Sequence, residues 1–296
     1  MTVSDISRAC SNWSIEITPP GSKKIEKFSN FLDKGTSVNI TFLPGTDFND
    51  TIATAKRLSE EGMNPIPHIS ARSIKSLKTL NDMVCKLKDF ANVNEVLVIA
   101  GGLGNPLGCY YNSMQILETG ILQKYEIKKI GVSGHPEGSP DISENKLNKA
   151  IIEKNSFAEK EGIKMYIETQ FCFNPKTVLV WENKIRKLGN KLPIKVGIPG
   201  PATIKSLFRF AQISGIGPSM NFIAKQASNV AKLLTIQKPD ILINEISKSM
   251  NLDKNCLIEN FHFYPFGGFE KTVKYADALN KNKFQVLSNG NLLIKD

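Results

Sequence analysis

Glu16 lies between two isoleucines in the run Ser14-Ile15-Glu16-Ile17-Thr18, and it is the first residue of this chain to invite a chemical reading. A carboxylate withdrawn from water without a partner is costly, so such a group pairs with a cation or keeps its proton. A carboxyl that keeps its proton near neutral pH can serve as a general acid. The three histidines, His68, His135 and His262, all fall on or just after strand-like runs, and Gln170 lies in another. Glycine-rich loops follow two further runs, Gly101-Gly102-Leu103-Gly104 and Gly197-Ile198-Pro199-Gly200-Pro201. Each feature also has a plain structural use: an interior carboxylate held by a lysine, core histidines, a space-filling glutamine, tight-turn glycines. The first loop is not a phosphate-binding G-x-x-x-x-G-K-[ST], and no G-x-G-x-x-G opens a helix after the first strand, which excludes a Rossmann site.

These residues need elements to hold them. Apolar strand-like runs alternate with helical patterns that often stop at glycine. The strands are expected at 14–18, 38–42, 64–70, 96–100, 130–134, 165–171, 194–198 and 261–266. Helices are expected to end at Gly35, Gly62, Gly162 and Gly189, and a longer, mostly helical stretch at Ser219 to Leu252. Val96-Leu97-Val98-Ile99-Ala100 is apolar throughout, as suits a parallel strand covered on both faces. Eight such alternations without a composition break predict one α/β domain over 1–296, a (β/α)8 TIM barrel. Residues 281–296 form a C-terminal tail with no assigned role. In this architecture the chemistry sits where strands end and the following loops begin.

Composition narrows the classes. The chain has 296 residues, 41% hydrophobic and 22% charged, as expected for a globular protein. No apolar run approaches the roughly 20 residues of a membrane span, and Met1 to Ala9 lacks a signal-like apolar region. The five cysteines form no C-x-x-C pair and read as reduced thiols in a cytoplasmic protein. The net charge of +10 comes from lysines spread over nearly every helical segment. That spread gives no nucleic-acid stripe but favours small anionic ligands.

Six segments, in order from Ser14 to about Asn280, together resemble the methylenetetrahydrofolate reductase family. Ser14-Ile15-Glu16-Ile17-Thr18-Pro19-Pro20 is similar to its opening S-x-E-x-x-P-P. Pro67-His68-Ile69-Ser70 resembles its P-H-[LI]-[ST] strand, and Gly131-Val132-Ser133-Gly134-His135-Pro136-Glu137-Gly138 its G-V-A-[GA]-[YH]-P-E-[GV] segment. Thr169-Gln170-Phe171-Cys172-Phe173 looks like T-Q-x-x-F, residues 193–201 like P-I-x-x-G-I-x-P, and Phe261-His262-Phe263-Tyr264 like its H-F-Y ending.

The resemblance implies a flavoprotein of one-carbon metabolism and methionine biosynthesis, with FAD bound at the strand ends. Such an enzyme passes a hydride from NAD(P)H through the flavin to 5,10-methylenetetrahydrofolate. It implies that Glu16 is the general acid and that Gln170 hydrogen-bonds the folate ring or nicotinamide. Thr41, His68, Ala100, Gly101, Gly102, Ser133 and His135 would line the flavin, and Lys154 would lie near its phosphates. No metal is implied, and family members are often homo-oligomers.

This chain departs from the family where its fourth strand ends. Gly102 stands in place of a characteristic aspartate, and Ser139 replaces a common histidine. The loops 198–201 and 265–268 also differ, which points to a paralogous branch. The missing aspartate motivates an alternative, a folate-binding one-carbon barrel with weak or flavin-independent redox activity that partners a methyltransferase pathway. A metal-dependent hydrolase built on the three histidines lacks the usual acidic companions.

Overall fold

The computed structural model of the chain describes residues 2–43, 45–213 and 233–295. Its main strands are β1 (Ser14–Ile17), β2 (Ser37–Ile40), β3 (Asn64–Ser70), β4 (Glu95–Ile99), β5 (Lys129–Gly134), β6 (Lys164–Phe171), β7 (Ile194–Pro199) and β8 (Ile258–Tyr264). They close into a parallel barrel in the order β1-β8-β7-β6-β5-β4-β3-β2. The longer helices are α1 (Val3–Ala9), α2 (Phe48–Glu60), α3 (Leu77–Ala91), α4 (Glu144–Glu161), α5 (Pro175–Lys187), α6 (Ile204–Ile213), α7 (Asp240–Leu252) and α8 (Phe269–Asn280). Of the helical stretch expected over 219–252, the described part ends in α7, and residues 219–232 lie outside the described residues. Among the described residues, no helix is long and apolar enough to cross a membrane.

Local sequence explains most of these elements. In α3 the Ser76 side chain caps the helix by accepting from Thr79 N, and Leu80, Met83, Val84 and Leu87 form its buried stripe. The helix α2 starts at the Asp47 cap and buries Ile52, Ala55 and Leu58. The chain then turns at Gly62, whose φ of +88° suits glycine. The helix expected before Gly35 is instead a four-residue turn, Pro19–Ser22, capped by Thr18. A three-residue 3-10 turn, Phe28–Asn30, follows it. Prolines in a first helical turn begin a helix well but do not make it long.

The chain divides into two compact units. One comprises Ser14–Ser133 and Ser156–Ile167, the other Met1–Trp13, Gly134–Asn155 and Glu168–Asp296. In the first unit, Glu16 lies in register with Asn39, and Asn39 with Ile66. Near the N-terminal ends of its strands a polar network replaces apolar filling. Asn64 Nδ2 donates to Ser37 Oγ and to Glu95 Oε2, each at 3.1 Å. Lys129 stands 3.3 Å from Glu95 and over the Tyr166 ring at 4.6 Å. Gly131 makes room for that ring, since a β-carbon there would fall 2.6 Å from Tyr166.

In the second unit, β7 and β8 pair with a register shift between Ile258 and Asn260. Beyond the shift, Asn260 faces Lys195 and His262 faces Gly197. Phe263 packs edge-on to Trp13 and Tyr275 behind the strand. The tail is ordered here. Phe284–Val286 and Leu292–Ile294 pair as an antiparallel hairpin that buries Phe284 and Leu292. Its backbone is held by α7: Leu292 N donates to Asp240 Oδ2 at 3.0 Å, and Asn244 Nδ2 to Gly290 O at 3.0 Å.

Candidate functional site

The carboxyl of Glu16 is buried at the C-terminal end of β1, as its place between isoleucines suggests. Alternation turns Ile15 and Ile17 to one side of the strand and Glu16 to the other. Thr41, one residue past β2, donates its hydroxyl to Glu16 Oε1. His68 on β3 brings Nε2 to 3.8 Å from the same oxygen. Asn39 Nδ2 stands 3.5 Å from His68 Nε2. Burial pushes the Glu16 carboxyl above the ordinary carboxylate range; a charged His68 ring and the Thr41 hydroxyl bond would pull it only partly back. The first unit thus gathers three residues expected at the site, Glu16, Thr41 and His68. It adds Asn39, which the sequence reading did not single out.

The loop after β4 is fastened to the end of β3. Arg72 N donates to Ala100 O at 2.9 Å, its Nη1 to Leu103 O at 2.9 Å and its Nε to Tyr111 O at 3.1 Å. Leu107 N returns a bond to Arg72 O at 2.8 Å. Gly108 packs on the backbone of Ile74 and Lys75, where a β-carbon would fall 2.5 and 2.4 Å from their carbonyl oxygens. Gly102, in contrast, is exposed and has open space about its Cα. Ser133 is half-buried on β5. Arg72 escaped the sequence reading because its partners are carbonyls, which carry no residue-type signal.

The second unit holds the other expected residues. Lys154 on α4 is buried and influences His135, just past β5. Burial pulls the ammonium of Lys154 down to about 8. Burial and the Lys154 charge pull His135 down to about 4, so His135 is neutral at pH 7. The neighbouring Glu153, which pairs with Lys149 at 3.6 Å, opposes the Lys154 shift only in part. A buried cation in that state suits an anionic ligand.

Gln170, half-buried on β6, has its carbonyl accept from Thr169 Oγ1 at 2.7 Å and Cys172 Sγ at 3.2 Å. Beside it runs an aromatic wall. Phe171 meets Tyr264 and Phe266 edge-on, with centroids 5.4 and 4.7 Å apart, and Phe266 stacks on Phe210 at 4.1 Å. Tyr264 OH donates to Thr169 O at 3.2 Å. Gly197 lies so close that a β-carbon would fall 2.4 Å from Thr169 O, which fixes this strand end.

The three histidines have separate settings. His68 stands by Glu16 and His135 by Lys154. His262 is fully buried with Nδ1 3.7 Å from Glu168 Oε2. Burial lowers its proton affinity; Glu168 opposes that shift and Lys195 adds to it. Glu168 and Lys195 were not anticipated, although their alternation with apolar neighbours on β6 and β7 marks them as facing away from the outer core. Among the described residues, no group of three or more His, Cys, Asp or Glu side chains is arranged to hold a metal ion.

With the barrel and these groups in view, the chain belongs to the (β/α)8 class of fold. No family model matches it. It is similar to an uncharacterized protein from Clostridium thermocellum that binds two copies of 5-methyl-5,6,7,8-tetrahydrofolic acid. That likeness has a TM-score of 0.56 at 14% identity and covers 95% of this chain and 98% of that one. It is also similar to Yersinia pestis DHPS with a pterine-sulfa conjugate, at a TM-score of 0.46 and 13% identity over 93% of this chain and 94% of that one.

Proposed function

We propose that this chain binds a reduced folate and acts as a flavin-dependent oxidoreductase, interconverting 5,10-methylenetetrahydrofolate and 5-methyltetrahydrofolate with NAD(P)H. The observation that carries the proposal is the buried Glu16 carboxyl, held at a strand end by Thr41 and His68 and disposed to keep its proton. Opening the five-membered ring of methylenetetrahydrofolate to an iminium requires protonation of the departing nitrogen, and a carboxyl in this state supplies that proton. The Clostridium thermocellum barrel that binds methyltetrahydrofolate lends support to the ligand class.

The donor set fits an anionic flavin nucleotide. Lys154 is a cation that burial penalises, and in the second unit it would hold the phosphates. In the first unit, Thr41, His68 and the Ala100-Gly101 backbone are the groups that would line a flavin ring system. When bound, the flavin supplies two-electron hydride chemistry between nicotinamide and folate. The first unit's own part is to deliver the Glu16 proton, while in the second unit the Gln170 carboxamide and the aromatic wall offer a polar group and an apolar face suited to a pterin ring.

A second reading rests on Gly102, where the family's carboxylate is replaced by an open position. A folate-binding barrel with little flavin chemistry would tolerate that loss. The absorbance spectrum of the purified chain separates the two. The oxidoreductase gains flavin bands with FAD, bleaches under NADH or NADPH and recovers with methylenetetrahydrofolate. A chain that binds folate but stays colourless with FAD refutes the flavin reading and leaves the second one standing.

A further inference from the structure

Asn39 is the neighbour of Glu16 that neither the motifs nor the family resemblance accounts for. Its carboxamide is wholly buried, in register with Glu16 across β1 and β2. Its Nδ2 approaches Nε2 of His68 at 3.5 Å, and that same ring nitrogen is 3.8 Å from Glu16 Oε1. A neutral imidazole carries one N–H and one lone pair, so the position of its proton decides what it offers a neighbour. An amide N–H can only donate. Directed at Nε2, it takes up the lone pair there and leaves the ring proton on Nδ1.

We propose that Asn39 is a positioning residue that holds His68 as the neutral Nδ1–H tautomer, so that His68 presents neither an N–H nor a charge to Glu16. The consequence concerns the acid. An imidazolium 3.8 Å from Oε1 favours the carboxylate, whereas a neutral ring with its Nε2 lone pair engaged gives the anion no such help. Asn39 thereby preserves the proton that Glu16 is to donate. This use of the proton rests on the functional reading above, while the tautomer itself does not.

The chain has only three histidines, so ring-¹⁵N spectra of the full chain resolve them, and His68→Gln assigns the signal of interest. The expected result at pH 7 is an Nδ1 signal in the protonated range and an Nε2 signal in the unprotonated range. Asn39→Asp places an acceptor where the donor was. The proton should then move to Nε2 or the ring become imidazolium. The protonated-carboxyl infrared band that distinguishes the parent chain from Glu16→Gln should be lost with it. An Nε2–H or imidazolium His68 in the parent chain overturns the proposal, as does an unchanged tautomer in folded Asn39→Asp. If Asn39→Asp fails to fold, the parent spectrum alone still decides. Absent hydride transfer to folate would sink the functional reading and leave the tautomer result intact, so the two fail separately.

Discussion

Gly101 faces Ser70 so closely that a β-carbon on the glycine would fall 1.8 Å from the serine Oγ. Its φ of +90° also lies where side chains are strained. The end of β3 and the loop after β4 are thereby fitted to each other, and the contact singles out one glycine of the pair 101–102. Gly101→Ala should cost about 1–3 kcal/mol. Part of that loss should return in the double variant with Ser70→Gly, because the clash goes but the backbone strain stays. Thermal or denaturant melts of the two variants check both statements.

Gly102 is predicted to behave differently. Nothing lies within 4 Å of a β-carbon built there, and its φ is not in the left-handed region. Gly102→Asp restores the carboxylate that the resembling family carries at this point. It should leave stability within about 0.5 kcal/mol of the parent. Under the flavin reading it should also shift the reduction potential of the bound cofactor, measured by spectroelectrochemical titration. An unchanged potential in a flavin-loaded variant would place this position away from the ring.

Glu16→Gln keeps the shape of the side chain and removes its acid. General acid catalysis contributes typically about 10²–10⁴-fold, so folate reduction should fall by that order. Bleaching of the flavin by NAD(P)H needs no such proton at Glu16 and should survive. Stopped-flow measurement of the two half-reactions tests this split. Equal losses in both halves would show that Glu16 shapes the site without serving as the acid.

How much of this was legible beforehand depends on whether the signal was local. The apolar run of β4 and the stop at Gly62 are local, and eight such strand–helix alternations pointed to the barrel. Glu16 was legible because an acid between isoleucines breaks a pattern. Asn39 was not, since a polar residue on a strand acquires meaning only when register sets it beside Glu16 and His68. Arg72 was hidden for a related reason: it binds carbonyls at Leu103 and Tyr111, positions set by the loop's path. The tail was left without a role, and its hairpin becomes intelligible through its bond to Asp240 on α7. The three histidines looked like one constellation, but the structure gives each its own neighbours.

The Asp240 carboxylate yields a prediction about that tail. It is buried, accepts Tyr275 OH at 2.5 Å and accepts the hairpin's Leu292 N at 3.0 Å. Burial and the neighbouring Asp240 push the Tyr275 phenol well above its usual range, so it remains a donor at any working pH. Asp240→Ala leaves two buried donors without their acceptor, each costing about 1–3 kcal/mol. The variant should therefore lose about 2–6 kcal/mol in denaturant unfolding. Hydrogen exchange should quicken first at 284–294, because the bond to Leu292 N anchors that hairpin.

Lys154 should act on stability in the opposite sense. Its ammonium has a pKa of about 8 in the folded chain against an ordinary 10.5, so the unfolded chain binds the extra proton between those values. More protons on the unfolded side mean that stability rises with pH across that window. Below about pH 8 the folded state carries the full cost of the buried charge, about 3 kcal/mol. Lys154→Met should then stabilise the ligand-free chain at pH 7 by up to about that amount and flatten the rise between pH 8 and 10.5. The same substitution should weaken binding of an anionic nucleotide, because the cation that burial penalises in the empty site is the one the phosphates would neutralise. Urea unfolding at pH 7 and pH 10, with and without FAD, measures both effects. A Lys154→Met chain less stable than the parent at pH 7 would mean that the lysine is held by groups the buried-cation account leaves out.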